Sequence, residues 1–447
     1  MNLDTRATGE ADEAEEIALS APQDPSRRYR LLAEAPACGP RELTVCIRCP
    51  SEAVTTIVLW GDPEVLPQPR TSSCYAVLET DAEELRTLSA RLISRWQEFV
   101  AYQPSLRQGP LDVKPYTHLA DLSGRPAVEV TAQVTELAWE GQYLLDELLA
   151  GDGRELAEVR RRLLEVLGLR DLRIRFDSDL DIPWPLLAVG AGPPATGGPP
   201  GGDPFATFLG HRHQIEAGAD AYPTAYWYVS GRTRPASSIQ WDEELTGTPL
   251  ATDVHKLLDD RTELTERIHG TELLAALNQP VLDEDLMYFF CHGEYARQGD
   301  RTWRNLRLSD PVPIDASMVD RYRKRHTEAN ARDATPCLFH PMVLLNVCFA
   351  GGPATAGYAG IAAAFVKHGA LGVLAPHIAM PQVFGAEFAL RFLTRYVVEG
   401  LPAGRAVLET VRWFAAEYRN PLALTYSLVC GLDSRLFTDP QEGPTTP

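Results

Sequence analysis

Two residues of this chain are placed to do covalent chemistry. Leu286 to Cys291 is a short apolar run that leads straight into His292 and Gly293, and Met342 to Val347 is another that leads into Cys348. Runs of that length are strand-sized, and in an open α/β sheet the carboxyl ends of the strands border the crevice where ligands bind. A thiol is a weak nucleophile until it loses its proton: with an ordinary pKa near 8.5, only about 3% is thiolate at pH 7. A neighbouring imidazole lowers that pKa and accepts the proton. The pair therefore carries the chemistry of a Cys/His dyad. Cys348 attacks a peptide carbonyl, His292 protonates the leaving amine, and His292 then acts as base for the water that opens the thioester. The amides of Gly293 and Cys348 are the candidate oxyanion-hole donors.

Taken singly, each residue has an ordinary structural explanation, since cysteine is among the most buried residue types. Together, 56 positions apart with one helix between them, they are hard to reach by accident. Glu294 follows Gly293 directly and is a candidate for orienting the ring or touching substrate. His377, just past the apolar run Leu371 to Ala375, is a candidate cleft residue. Cys291 faces away from His292 by strand alternation and belongs to the core. Cys46 and Cys49 have redox spacing but no thioredoxin-like βαβ context, and no second Cys or His pair completes a zinc set. Neither a metal nor a cofactor is expected.

The elements that must hold this pair alternate cleanly in the C-terminal half. A strand over 285–291 is followed by a loop with Trp303, Leu306 and Leu308, then a helix from Ala316 to Thr327. The strand over 342–348 precedes a helix from Ala359 to His368, the strand Leu371 to Ala375, and two more helices. Phe384, Phe388, Phe392 and Tyr396 form one aromatic stripe at helical spacing, and a strand from Thr425 to Cys430 closes the set. Strands alternating with helices mean an α/β fold with a mostly parallel, helix-covered sheet. Upstream, strands are expected at Leu43–Ile47, Thr56–Trp60 and Leu172–Phe176, and helices at 81–102, 128–149 and 154–166.

Composition bounds the rest. Residues 1–40 are read as an acidic, weakly ordered tail, with six acids and one arginine between Asp4 and Glu16. Residues 41–189 form an N-terminal α/β region, 190–204 a Gly/Pro-rich loop, 205–437 the catalytic region, and 438–447 a disordered tail. A net charge of −19 argues against nucleic acid or an anionic membrane as direct partner, and no apolar run reaches the roughly 18–20 residues of a membrane span. The polar, acidic N-terminus is no secretory signal. Eight scattered cysteines in a chain of 447 residues are not a disulfide framework, which points to the reducing cytoplasm.

Residues 285–293, 341–352, 358–376 and Asn420 to Leu428 resemble the CHAT family, caspase-like cysteine proteases of bacteria related to separases. Asp181 to Leu187, Phe208 to Arg212 and Glu244 to Leu258 extend the likeness upstream. The resemblance implies a caspase–hemoglobinase-like sheet, with residues 41–189 as a pseudo-caspase-like half, and the roles given above to His292, Cys348 and Gly293. It also implies cleavage of a specific protein partner in bacterial defence or programmed cell death, for example release of a pore-forming effector, with a regulatory protein acting on residues 1–170. Asn346 stands where relatives that cleave after Arg or Lys commonly carry Asp, which makes it a candidate substrate-binding position without that charge. Pro185 replaces a frequent carboxylate, and His377 to Gln382 lacks an acid often found there. Two other classes fit the same pair: an inactive caspase-like scaffold that binds a partner, and a non-proteolytic cysteine enzyme such as an acyltransferase.

Overall fold

The computed structural model describes residues 41–51, 54–67, 74–102, 115–193, 202–218, 234–298, 301–333, 338–348 and 359–436. The two terminal tails, the centre of the Gly/Pro-rich loop, Cys337 and the segment that follows Cys348 lie outside them.

The N-terminal region begins with three antiparallel strands, β1 (Leu43–Ser51), β2 (Val54–Gly61) and β3 (Tyr75–Leu78). Three helices follow: α1 (Ala82–Val100), α2 (Ala127–Leu148) and α3 (Arg154–Leu167). Asp81 caps α1, its carboxylate accepting from the Glu84 amide at 2.7 Å, which satisfies an amide that the helix itself leaves unpaired. On α3 the stripe Leu156, Val159, Leu163 and Val166 is buried, as its spacing requires. Then come β4 (Arg173–Ser178), the single turn α4 (Leu209–Arg212) and β5 (Gln214–Ala217).

The second half starts with β6 (Ala236–Trp241), α5 (Ala251–Arg261), β7 (Glu263–Arg267), α6 (Gly270–Leu277) and the short β8 (Val281–Leu282). β9 (Leu286–Gln298) turns back as β10 (Arg301–Arg307), then α7 (Ala316–Asp333) and β11 (Leu338–Phe339) lead to β12 (Met342–Cys348). The chain finishes with α8 (Ala359–Lys367), β13 (Gly372–Pro376), α9 (Gln382–Leu393), α10 (Ala403–Trp413) and β14 (Tyr426–Val429). β8 and β11 pair with each other, apart from the main sheet.

The main sheet runs β3-β2-β1-β4-β5-β14-β13-β12-β9-β6-β7, with β10 paired to β9 beside this path. β1, β4, β5 and β14 are mutually parallel, and so are β13, β12, β9, β6 and β7. The two sets meet at the antiparallel pair β13–β14, so they point in opposite directions. This is a mixed α/β fold with a mostly parallel sheet covered by helices. The last strand of the chain joins the two halves: β14 lies between β5 and β13.

β9 and β12 are apolar on both faces because helices cover both. Leu286, Tyr288 and Phe290 join one core with Val254 and Leu258 of α5 and Phe384 and Phe388 of α9. Met287, Phe289 and Cys291 join a second core with Leu273 and Leu277 of α6, Val319 of α7, and Ile361 and Phe365 of α8. The aromatic stripe is fully buried, and Phe388 stacks on Tyr426 with ring centroids 3.6 Å apart.

Three expectations change. The strand expected to stop at 291 runs on to Gln298, and the expected loop with Trp303 and Leu306 is the returning strand β10. That hairpin is held by backbone pairing from His292–Arg307 to Gln298–Arg301 after the apolar run has ended, so hydrophobic patterning marks only its first half. The helix expected to end at Thr327 continues to Asp333.

One buried group makes stability depend on pH. The ring of His213 accepts from the Leu172 amide through Nδ1 at 3.4 Å, while Nε2 lies 3.1 Å from the Leu167 carbonyl. Burial pushes its pKa down from 6.5 to about 4. The unfolded chain takes up this proton near pH 6.5 while the native chain does not until about pH 4, so stability is lost as pH falls through that window. The expected loss is about 3 kcal/mol, seen as a falling urea midpoint between pH 7 and pH 4. His213→Gln should flatten the curve only in part, because neighbouring His211 is also held near 4 by burial, and burial lowers His326 and His368 as well.

Candidate active site

The site is built where the parallel pairing of three neighbours, β12, β9 and β6, comes to an end. Cys348, the last residue of β12, is the register partner of His292 on β9. Positions 342, 344 and 346 share one face of the pleat, as do 286, 288, 290 and 292. The parallel pairing of β12 with β9 ends at this residue pair, and beyond it β9 pairs with β10 as a hairpin. The chain therefore places the two residues side by side at the end of the parallel ladder.

β6 supplies a residue that the sequence pattern does not reveal. Asp242 follows its last residue, Trp241, and its amide donates to the Phe290 carbonyl at 3.1 Å, which ties it to β9 two residues before the histidine. Asp242 Oδ1 accepts from the Glu244 amide at 3.0 Å and from Ser309 Oγ at 3.4 Å. Those bonds aim Oδ2 at His292 Nε2, 3.8 Å away, and Glu244 Oε2 stands 3.7 Å from the same nitrogen. The Asp242 side chain is 2% exposed, that of His292 22% and that of Glu244 75%. Asp242 Oδ2 and His292 Nε2 are both buried without a hydrogen-bond partner. The ligand atoms of all three residues lie within 4.8 Å of one another. Sequence spacing gives no second cysteine or histidine pair to complete a zinc set, whereas the fold groups a mixed nitrogen and oxygen set from two neighbouring strands.

The other candidates fall into different places. Glu294, two residues past His292, is exposed and paired with Arg307, Oε1 to Nε 2.6 Å, so its carboxylate is turned to the hairpin partner. Gly293 pairs with Leu306 in that hairpin. His377 lies just past β13, with Nε2 2.6 Å from Ser427 Oγ and its amide bonded to the Thr425 carbonyl. Asn346 is 0% exposed. Its amide nitrogen donates to the Tyr288 hydroxyl at 3.3 Å, and its oxygen accepts from the Tyr426 hydroxyl at 2.8 Å. A Cβ on Gly385 of α9 would lie 2.5 Å from that oxygen, so only glycine lets the helix approach this closely. The Asn346 side chain thus faces the core rather than a cleft, and it fixes the end of β12 from below. Cys291 is fully buried, and burial pushes its thiol pKa up, which keeps it protonated and inert.

No known family model matches the chain, and no curated relative matches its sequence. Among solved structures it is similar to separase in two crystal structures of the Saccharomyces cerevisiae separase–securin complex. One aligns at 10% identity with a TM-score of 0.43, the other at 9% and 0.42. Each alignment covers 88% of this chain and 30% of the matched chain, so this chain spans less than a third of those separase chains.

Proposed function

We propose that the chain is a caspase-like cysteine endopeptidase that cleaves a protein substrate with Cys348 as nucleophile and His292 as acid/base. The observation that carries this reading is the register pairing of Cys348 with His292, the last pair of the parallel ladder between β12 and β9. Asp242 is the positioning residue. With Nε2 turned to the two carboxylates, Nδ1 is the nitrogen left to take the thiol proton. The thiolate attacks the peptide carbonyl, the imidazolium protonates the leaving amine, and water opens the thioester with His292 as base. The Gly293 and Cys348 amides are assigned to the oxyanion. The CHAT resemblance supports a specific protein target, a defence or cell-death setting and control through residues 1–170, and the scattered cysteines suit a reducing cytoplasm. No helix among the described residues is long and apolar enough to cross a membrane.

The test is covalent labelling with a peptidyl electrophile followed by peptide mapping. Label should sit on Cys348, be absent from the buried Cys291 and Cys430, and decline when His292 is replaced by Ala. An intact Cys348 after prolonged exposure sinks the reading.

A further inference from the structure

We propose that Asp242 Oδ2, Glu244 Oε2 and His292 Nε2 form a binding site for a divalent transition-metal ion of the zinc type, and that its occupancy arrests the Cys348 chemistry. The binding half stands on geometry alone, while the inhibitory half rests on the proposed cysteine-protease reading.

Nε2 is separated from the two carboxylate oxygens by 3.8 and 3.7 Å, which is too long for direct hydrogen bonds. Two of the three atoms, Asp242 Oδ2 and His292 Nε2, are buried and without partners, a costly arrangement unless something completes it. An ion bound at about 2.0–2.1 Å from tetrahedral ligands separates them by roughly 3.4 Å, so the two nitrogen–oxygen gaps close with a shift of a few tenths of an ångström, and the carboxylate oxygens, within 4.8 Å of each other, close by movement of the exposed Glu244. The Asp242 carboxylate is already oriented toward the ion position. Its Oδ1 is fixed by the Glu244 amide and Ser309 Oγ, which leaves Oδ2 as a single aimed ligand. Glu244, being largely exposed, offers a mobile third ligand on the side from which an ion arrives. The donor set selects the metal class. Calcium and magnesium prefer oxygen ligands throughout, whereas imidazole with carboxylates suits zinc and its neighbours.

Occupancy has a chemical consequence at the same ring. An ion on Nε2 takes that nitrogen's lone pair, so the ring's one proton sits on Nδ1, which becomes a hydrogen-bond donor with no lone pair left to offer. The ring ceases to accept the thiol proton. No bond is made or broken in this step except the metal–ligand bonds and the ring N–H, whose proton passes through solvent from Nε2 to Nδ1.

The experiment uses the full-length chain, stripped of metal, titrated with Co2+ as a spectroscopic probe and with Zn2+ by calorimetry. Nitrogen and oxygen ligation gives Co2+ ligand-field bands without thiolate charge-transfer absorption, which separates this site from the cysteines. One equivalent should bind, and Asp242→Asn should weaken it at least tenfold. Glu244→Gln, at an exposed position that leaves folding intact, should weaken it several-fold. Binding that ignores both substitutions, or thiolate bands alone, overturns the site. In parallel, Zn2+ should slow alkylation of Cys348 at least tenfold, reversed by chelator. Alkylation unaffected at saturating Zn2+ overturns the inhibitory half. A Cys348 that never reacts removes the protease reading instead, and leaves the metal titration to stand by itself.

Discussion

Cys348→Ala is expected to lower cleavage of a susceptible protein by roughly 10⁴-fold or more, and His292→Ala to do nearly the same. The two losses should not add, because each residue is useless to the reaction without the other: the double variant should be no slower than either single one. Asp242→Asn keeps the shape of the side chain but removes the charge facing Nε2 at 3.8 Å. It should cost roughly 10–100-fold, with little change in KM, because it acts through the ring and not on the substrate. Initial rates of fragment formation, with folding checked by circular dichroism, decide the matter. Cleavage that persists in Cys348→Ala means that a different group performs it.

The second large effect concerns stability. Phe388→Ala should destabilise the fold by about 3–5 kcal/mol, read as a lowered urea midpoint. Phe388 is fully buried, and its ring lies flat on Tyr426 at 3.6 Å with an interplanar angle of 3°. Tyr426 in turn donates to Asn346 Oδ1 at 2.8 Å, two residues before Cys348. Removing the phenyl ring therefore leaves a cavity under the tyrosine that steadies the end of β12. Tyr426→Phe isolates the last link, because it keeps the stack and deletes only the hydroxyl, at a cost of about 1–3 kcal/mol. If Phe388→Ala costs less than Tyr426→Phe, the stack is not what holds this corner.

The residues that read clearly in the sequence are those whose signal is local. The helical stripe of Phe384, Phe388, Phe392 and Tyr396 is buried throughout, since periodicity and burial are the same statement for a helix laid on a sheet. The apolar runs before His292 and Cys348 were legible as β9 and β12 for the same reason. β6 was not. Its Ser237, Ser238 and Gln240 are fully buried, yet they break the apolar pattern that marks a core strand. Ser237 bonds to Thr262, and Ser238 bonds to Glu284 and Gln240, so most of the groups that satisfy these serines in the core lie far along the chain. The returning strand β10 was also hidden, because backbone pairing across a hairpin leaves no apolar pattern.

By itself the sequence determined that one imidazole and one thiol follow two apolar core runs, and so which reaction class to consider. Only the tertiary structure decided what stands around them. Asp242 and His292 are fifty positions apart, and nothing local says that β6 will lie beside β9. Asn346 was a candidate to touch substrate, and the fold turned its side chain inward to two tyrosine hydroxyls. The reason is physical: strand periodicity is written in neighbouring residues, whereas strand order and the fate of a polar side chain depend on partners brought together only when the sheet assembles.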